Sequence, residues 1–201
     1  PVYFFRNVFA SSRKSSGTSA SDLRGAYLVK LGNERALLTR GKMYIFHNTA
    51  LQPPAFEGTD LSSSGAGAGI IFTSNKKLQE NITTRNNVIQ TRSAKNWAIK
   101  DTQLTWSNDY DYDLFNGKLM LREGGEVNGI QGYPTYERAP DGRLWLAAGT
   151  AGHDAGVRIP NFNDDYVGAV PDMGAVETNS ATAKPKHWPA FPENVTPDNS
   201  K

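Results

Sequence analysis

The chain has 201 residues, 22 basic against 20 acidic side chains for a net charge of +2, and no cysteine. That length suits one substantial domain, alone or with a tail, and the balanced charge argues against nucleic acid or an anionic membrane as a partner. Without cysteine there are no disulfides, thiolate metal sites, covalent haem attachments or cysteine nucleophiles, a pattern that fits an exported protein as well as a cytosolic one.

No stretch approaches the roughly 18 consecutive apolar residues of a membrane span. Pro1 opens directly into the apolar run at 2–5 with no signal-peptide pattern, so the chain reads as a processed or partial product. The 19 Gly and 11 Pro, with many Asn, Thr and Ser, favour short strands and turns over long helices.

The first element is a β-prone run at residues 2–9 (VYFFRNVF), which reaches Asn7. A second β run, 26–29 (AYLV), begins the best apolar-periodic stretch, which Gly32 and Asn33 interrupt. The run at 43–50 (MYIFHNTA) repeats the first pattern around Asn48. Residues 53–69, with Pro53, Pro54 and SSSGAGAG at 62–69, read as an inserted loop, and 69–73 (GIIFT) as another strand. The pattern returns at 82–89 (ITTRNNVI) around Asn87, WAI at 97–99 adds a further strand, and DYDYDLF at 109–115 is a looser copy with Asp113 in place of Asn.

The Asn residues recur after 41 and then 39 positions, with Asp113 a further 26 on. Asn tolerates a left-handed backbone better than other non-glycine residues, so it suits a strand that must bend sharply into the next. In stacked strands, such Asn amides would lie above one another and bond to each other. One rung of such a coil needs only about 20–30 residues, so the wider spacing implies inserted loops. Taken alone, the repeats also fit an antiparallel sandwich with Asn at its turns.

The C-terminal segments run GYPTY at 132–136, LWLAAGT at 144–150, HDAGVRIPNFNDDYVG at 153–168 and PDMGAVE at 171–177. This series resembles the ending of bacterial right-handed parallel β-helix proteins of the pectate-lyase-like superfamily. There, a "DP-x-F" step leads to "L-x-x-x-S-P-A-I-D-x-G", and the coil finishes on "D-I-G-A-x-E". Tyr133 replaces the Asp of the first element, and the residues at 150–153 replace the usual Ser-Pro-Ala-Ile.

The resemblance implies an all-β fold, a right-handed parallel β-helix solenoid whose C-terminal rungs and cap fill 1–177. An extended Pro-rich tail follows at 178–201, tied down by Trp188 and Phe191. It also gives Asn7, Asn48, Asn87, Asp154, Gly156, Asp172, Gly174 and Glu177 structural roles: the glycines as tight reversals, the carboxylates as acceptors for end-of-rung amides.

The superfamily acts largely on polysaccharides, as lyases or hydrolases, and also includes tailspikes, adhesins and structural surface proteins. The expected function is therefore an extracellular, secreted or cell-surface, polysaccharide-lyase-like protein acting on an extended glycan. The alternative is a non-enzymatic surface or adhesin β-helix that packs against other chains.

A lyase needs a base, and positive charge or calcium to stabilise an enolate. Arg6 and His47 precede the repeated Asn and Arg85 lies one position off, so outward-facing side chains would form a basic row about 5 Å apart per rung. Asp109, Asp111 and Asp113 alternate with tyrosines, so a strand would set all three carboxylates on one face, a conceivable calcium site. Trp106 and Trp97 are candidates to stack on sugar rings or to join the core. The first strand, already β-prone, is expected to be covered by a further chain or by missing N-terminal rungs.

Overall fold

The structure, a computed structural model, describes residues 1–10, 29–31, 41–51, 69–72, 79–91, 93–139 and 142–180. The expected loop at 53–68 and the tail with Trp188 and Phe191 lie outside them. The described residues form fifteen strands and no helix, so the fold is all-β. No helix among them is long and apolar enough to cross a membrane.

Thirteen strands make three parallel sheets. The first holds β1 (Val2–Phe5), β4 (Met43–Phe46), β7 (Ile82–Arg85) and β10 (Asp109–Tyr110). The second holds β2 (Val8–Ala10), β5 (Thr49–Leu51), β8 (Val88–Gln90), β11 (Leu114–Phe115) and β13 (Ile130–Gln131). The third holds β3 (Val29–Leu31), β6 (Ile70–Phe72), β9 (Trp97–Asp101) and β12 (Lys118–Met120). The chain thus visits the first, second and third sheets in turn and returns to lie beside its previous pass. After β12 it makes no fifth pass through the first sheet; instead the Glu126 amide donates to the Tyr110 carbonyl (2.7 Å). A short antiparallel pair, β14 (Tyr136–Arg138) with β15 (Leu144–Leu146), follows.

Register explains why these sequences stack. Phe4, Ile45, Thr84 and Tyr110 are partners across the first sheet, Ala50, Ile89 and Phe115 across the second, and Ile70, Ile99 and Leu119 across the third. Their apolar members form one core cluster. Burying each large aliphatic side chain contributes about 1.5–3 kcal/mol. Faces that adjacent Phe4 and Phe5 leave ambiguous in sequence are separated by packing. Phe4 packs against that core, while Phe5 turns outward to meet Phe162 edge-on at 5.3 Å.

Gly69, entering β6, is required by closeness. A Cβ there would lie 2.2 Å from Ile89 Cγ2 and 2.4 Å from the Ala98 carbonyl oxygen.

Polar residues close the bends between sheets. At entry to the first sheet, Asn108 accepts from the Ile82 amide (3.0 Å) and donates to the Gln79 carbonyl (2.8 Å) and Asp101 Oδ2 (2.9 Å). Between the second and third, Asn116 Oδ1 accepts from the Thr91 amide (2.7 Å) and hydroxyl (2.9 Å). Buried backbone groups at these corners need such partners, and the Asn side chain supplies donor and acceptor together.

Residues after β14 lie against the outer side of the second sheet. Val88 and Leu114 cluster with Met173, and Leu51 with Leu144, while the Ala175 amide donates to Thr49 Oγ1 (2.9 Å). The expected cap over the end of a coil is therefore corrected. This segment runs along the flank of successive strands, because the outward faces of β5, β8 and β11 carry Leu51, Val88 and Leu114, which need cover.

Candidate functional site

The richest constellation sits where the first sheet bends into the second. Asn7 donates through its amide nitrogen Nδ2 to Asn48 Oδ1 (2.9 Å), Asn48 to Asn87 Oδ1 (2.9 Å), and Asn87 to Asp113 Oδ1 (2.8 Å). At each step the backbone N–H of the same residue reaches the same oxygen, at 3.1, 2.9 and 2.8 Å. Asn48, Asn87 and Asp113 are fully buried. The expectation that these Asn residues hold the left-handed backbone is corrected. The residue before each one does so: Arg6 (φ 50°), His47 (52°), Asn86 (57°) and Tyr112 (59°). The ladder Asn is committed through both backbone and side chain, so the reversal falls on its predecessor.

That geometry decides the fate of the expected basic row. His47 is 3% exposed and its ring is fully engaged. Nδ1 lies 3.2 Å from the Gly174 carbonyl oxygen, while Nε2 is approached by the side-chain amides of Asn86 (3.0 Å) and Asn163 (2.7 Å). A neutral ring protonated at Nδ1 satisfies all three contacts. Burial, with the charge of Arg6 second, holds its pKa down at about 4. Arg6 forms a two-pronged pair with Asp165 (2.6 and 3.1 Å), and Asp165 is held below the usual carboxylate range, first by that bond. Arg85 pairs with Asp109 (2.6 Å). No outward basic row therefore forms: one member is buried as a neutral ring and the other two are paired.

The three aspartates do not share a face. Asp109 is exposed, Asp111 half-buried and Asp113 buried, because the left-handed Tyr112 breaks strand alternation between them. Asp111 accepts instead from the Tyr112 amide (3.0 Å) and from the backbone and side chain of Asn128 (2.7 and 2.8 Å).

The C-terminal residues bind their own segment rather than end-of-rung amides. Asp172 accepts from the amides of Asp154 (2.7 Å) and Thr178 (2.8 Å), Asp154 from Ala169 (3.1 Å), and Glu177 from Val167 and Asp172 (3.0 Å each). Burial pushes the Glu177 carboxyl up to about 7. Gly174 has φ +97° and donates to the Asn86 carbonyl (2.6 Å); a Cβ would sit 2.8 Å from Thr49 Oγ1. Gly156 is not left-handed. Its lack of a side chain admits Asn86 Oδ1 and the Pro171 carbonyl, each 2.8 Å from where a Cβ would stand.

Three groups could offer metal ligands together: His153, Asp154 and Asp172, with ligand atoms within 4.8 Å of one another. Two surface tryptophans are framed by cations. Trp106 is 84% exposed with the Arg122 guanidinium 5.4 Å from its ring, and Trp97 has Lys100 (5.5 Å) and Lys118 (5.6 Å) over it. Phe162 joins Tyr3, Phe5 and Phe46 into an aromatic patch on the first sheet, with centroids 5.3–5.7 Å away.

Sequence reasoning missed Asn86, Asn163 and Glu126. The doublet Asn86–Asn87 and the spacing of Asn161 and Asn163 are faint signals. Nothing marks Glu126, whose neighbour Asp113 is brought to it only by the bend. As a whole, the junction holds backbone reversals in place. Comparison with protein-family models, curated proteins and solved structures finds no match to this chain.

Proposed function

We propose that the three sheets are the faces of a right-handed parallel β-helix, of which this chain is the C-terminal part. In this reading it is a rigid, non-enzymatic surface or adhesin-type module that packs against further strands. Parallel crossovers in one sheet are right-handed in about 98% of cases, which supports the handedness. The observation that carries the reading is the edge made by β1, β2 and β3, each terminal in its sheet among the described residues. Val2 and Tyr3 are half exposed there, Phe9 is exposed, and Asn7 Oδ1 accepts no hydrogen bond among the described residues. Every other ladder oxygen of this kind receives two donors. The edge therefore fits one more layer of parallel strands bringing its own Asn, from another chain or from preceding residues of the same polypeptide. Such a module belongs at the cell surface or in the secreted fraction.

The test is light scattering after size-exclusion chromatography of the chain and of a Val2→Lys, Phe9→Lys variant. The expected result is concentration-dependent association of the unaltered chain that the variant abolishes. A strictly monomeric chain at high concentration would overturn cover by a second copy and leave preceding residues of the same polypeptide as the occupant.

Trp106 favours a second reading, binding of an extended polysaccharide, since an exposed indole beside a guanidinium is a suitable platform for a sugar ring. Quenching of tryptophan fluorescence by uronate-containing polysaccharides, lost in Trp106→Ala, would support it. Appearance of the unsaturated product's absorbance would add lyase activity.

A further inference from the structure

The ladder follows one rule through three links: the N–H and the Nδ2 of one residue both donate to the Oδ1 of the next. At the fourth link, the Asp113 amide donates to Glu126 Oε2 (3.1 Å), so Glu126 stands where the next ladder residue would. Asp113, however, has no Nδ2. Its Oδ2 and Glu126 Oε1 are both buried without a hydrogen-bond donor, on side chains that are 0% and 8% exposed. Two ionised carboxylates in contact inside a protein repel strongly, and neither can donate. The groups acting on the pair offer no counter-charge. Thr84 of β7 and Asn87 ahead of β8 act on Asp113 only as neutral polar groups, and Asp111 opposes ionisation of Glu126 as Asp113 does.

We propose that the last link of the ladder is a single proton held between Asp113 and Glu126, making this corner a pH-sensitive latch on the last pass of the chain. Glu126 Oε2 is occupied by the Asp113 amide, so the proton sits on Oε1 and is donated to Asp113 Oδ2. One proton is taken up from solvent as the chain folds at neutral pH and is released when the corner opens. Burial, and then the negative charge of Asp113, raise the Glu126 pKa far above the ordinary carboxylate range, in agreement with the geometry. Alkaline solution would remove the proton and leave two facing anions. The parts released would be those that the corner anchors: the Ile130 amide on the Asp113 carbonyl (2.9 Å) and the Glu126 amide on the Tyr110 carbonyl (2.7 Å).

Two measurements test this. In the carboxyl ¹³C spectrum of the intact chain, the Glu126 side-chain resonance is expected at its protonated position at pH 7, moving to the ionised position only in alkali. A resonance already ionised at pH 7 overturns the proposal. Second, the folded-to-unfolded ratio of the wild type should fall about tenfold per pH unit relative to Glu126→Gln between about pH 6 and 8, because that amide donates permanently and cannot titrate. Identical pH slopes overturn the proposal. Should Glu126→Gln fail to fold, Asp113→Asn decides. Its new donor satisfies an ionised Glu126, so the Glu126 resonance should titrate nearer the ordinary range, whereas burial alone would leave it where it was.

Discussion

Replacing Asn48 by Ala probes the ladder at its most connected point. Asn48 is fully buried, and its side chain takes part in five hydrogen bonds. Its Nδ2 donates to the carbonyls of Phe4 (2.9 Å) and Phe46 (3.0 Å) and to Asn87 Oδ1, while its Oδ1 accepts from the Asn7 backbone and side chain. Some partners retain cover: Asn87 Oδ1 keeps the Asn48 amide, and the Phe46 carbonyl keeps the Arg6 amide (3.3 Å). Leaving a buried polar group unmade costs about 1–3 kcal/mol, while a satisfied bond contributes only about 1 kcal/mol net. With two or three groups stranded, Asn48→Ala should destabilise by about 3–4 kcal/mol. Asn7→Ala removes one side-chain donor from a half-buried position, and its amide still reaches Asn48, so about 1 kcal/mol is expected. Urea denaturation with a common slope reads the difference directly. Equal losses for the two variants would refute the ladder as a connected unit.

Gly174→Ala should destabilise by about 2–4 kcal/mol, since the Cβ would meet Thr49 Oγ1 at 2.8 Å and Val88 Cγ2 at 3.0 Å on a left-handed backbone; calorimetry should show the lowered Tm. Arg6 and Asp165 are partly exposed, so their coupling in a double-mutant cycle should be below about 1 kcal/mol and shrink with added salt. His47 titrates near 6.5 unfolded and about 4 folded, so the unfolded state binds more protons between those values. The contribution of His47 to stability is therefore fully present above pH 6.5 and is lost, by about 3 kcal/mol, as pH drops to 4. His47→Asn should lack that loss, so the difference between variant and wild type should change across this range and be flat above it.

What could be read from sequence divides along physical lines. Asn7, Asn48, Asn87 and Asp113 stand out because a stacked position demands one chemistry at every pass, and that demand survives long insertions. The strand runs around them were equally legible, since β-branched and aromatic residues cluster there. Inward and outward faces were not: Thr84 occupies a core position beside Ile45, and Phe5 faces outward under Phe162, so apolar alternation alone misleads. His47, Arg6 and Arg85 looked like one row because their neighbours repeat. Their surroundings differ, since each meets a different partner supplied from far along the chain. The carboxyl of Glu126 is invisible without the bend that brings it to Asp113. The C-terminal motif located the residues that bind tightly, but not the surface they cover.

The segment carrying Gly174 has a mechanical consequence. Stacked strands that touch only their neighbours can peel away one at a time from an end. Here a single stretch grips Thr49 on one pass, Asn86 and Val88 on the next and, through Met173, Leu114 on the third. Three layers are thereby laced together by a strap running across them. Pulling on one layer loads the others, so the stack should give way in one cooperative step, at a higher force than unlaced strands would bear.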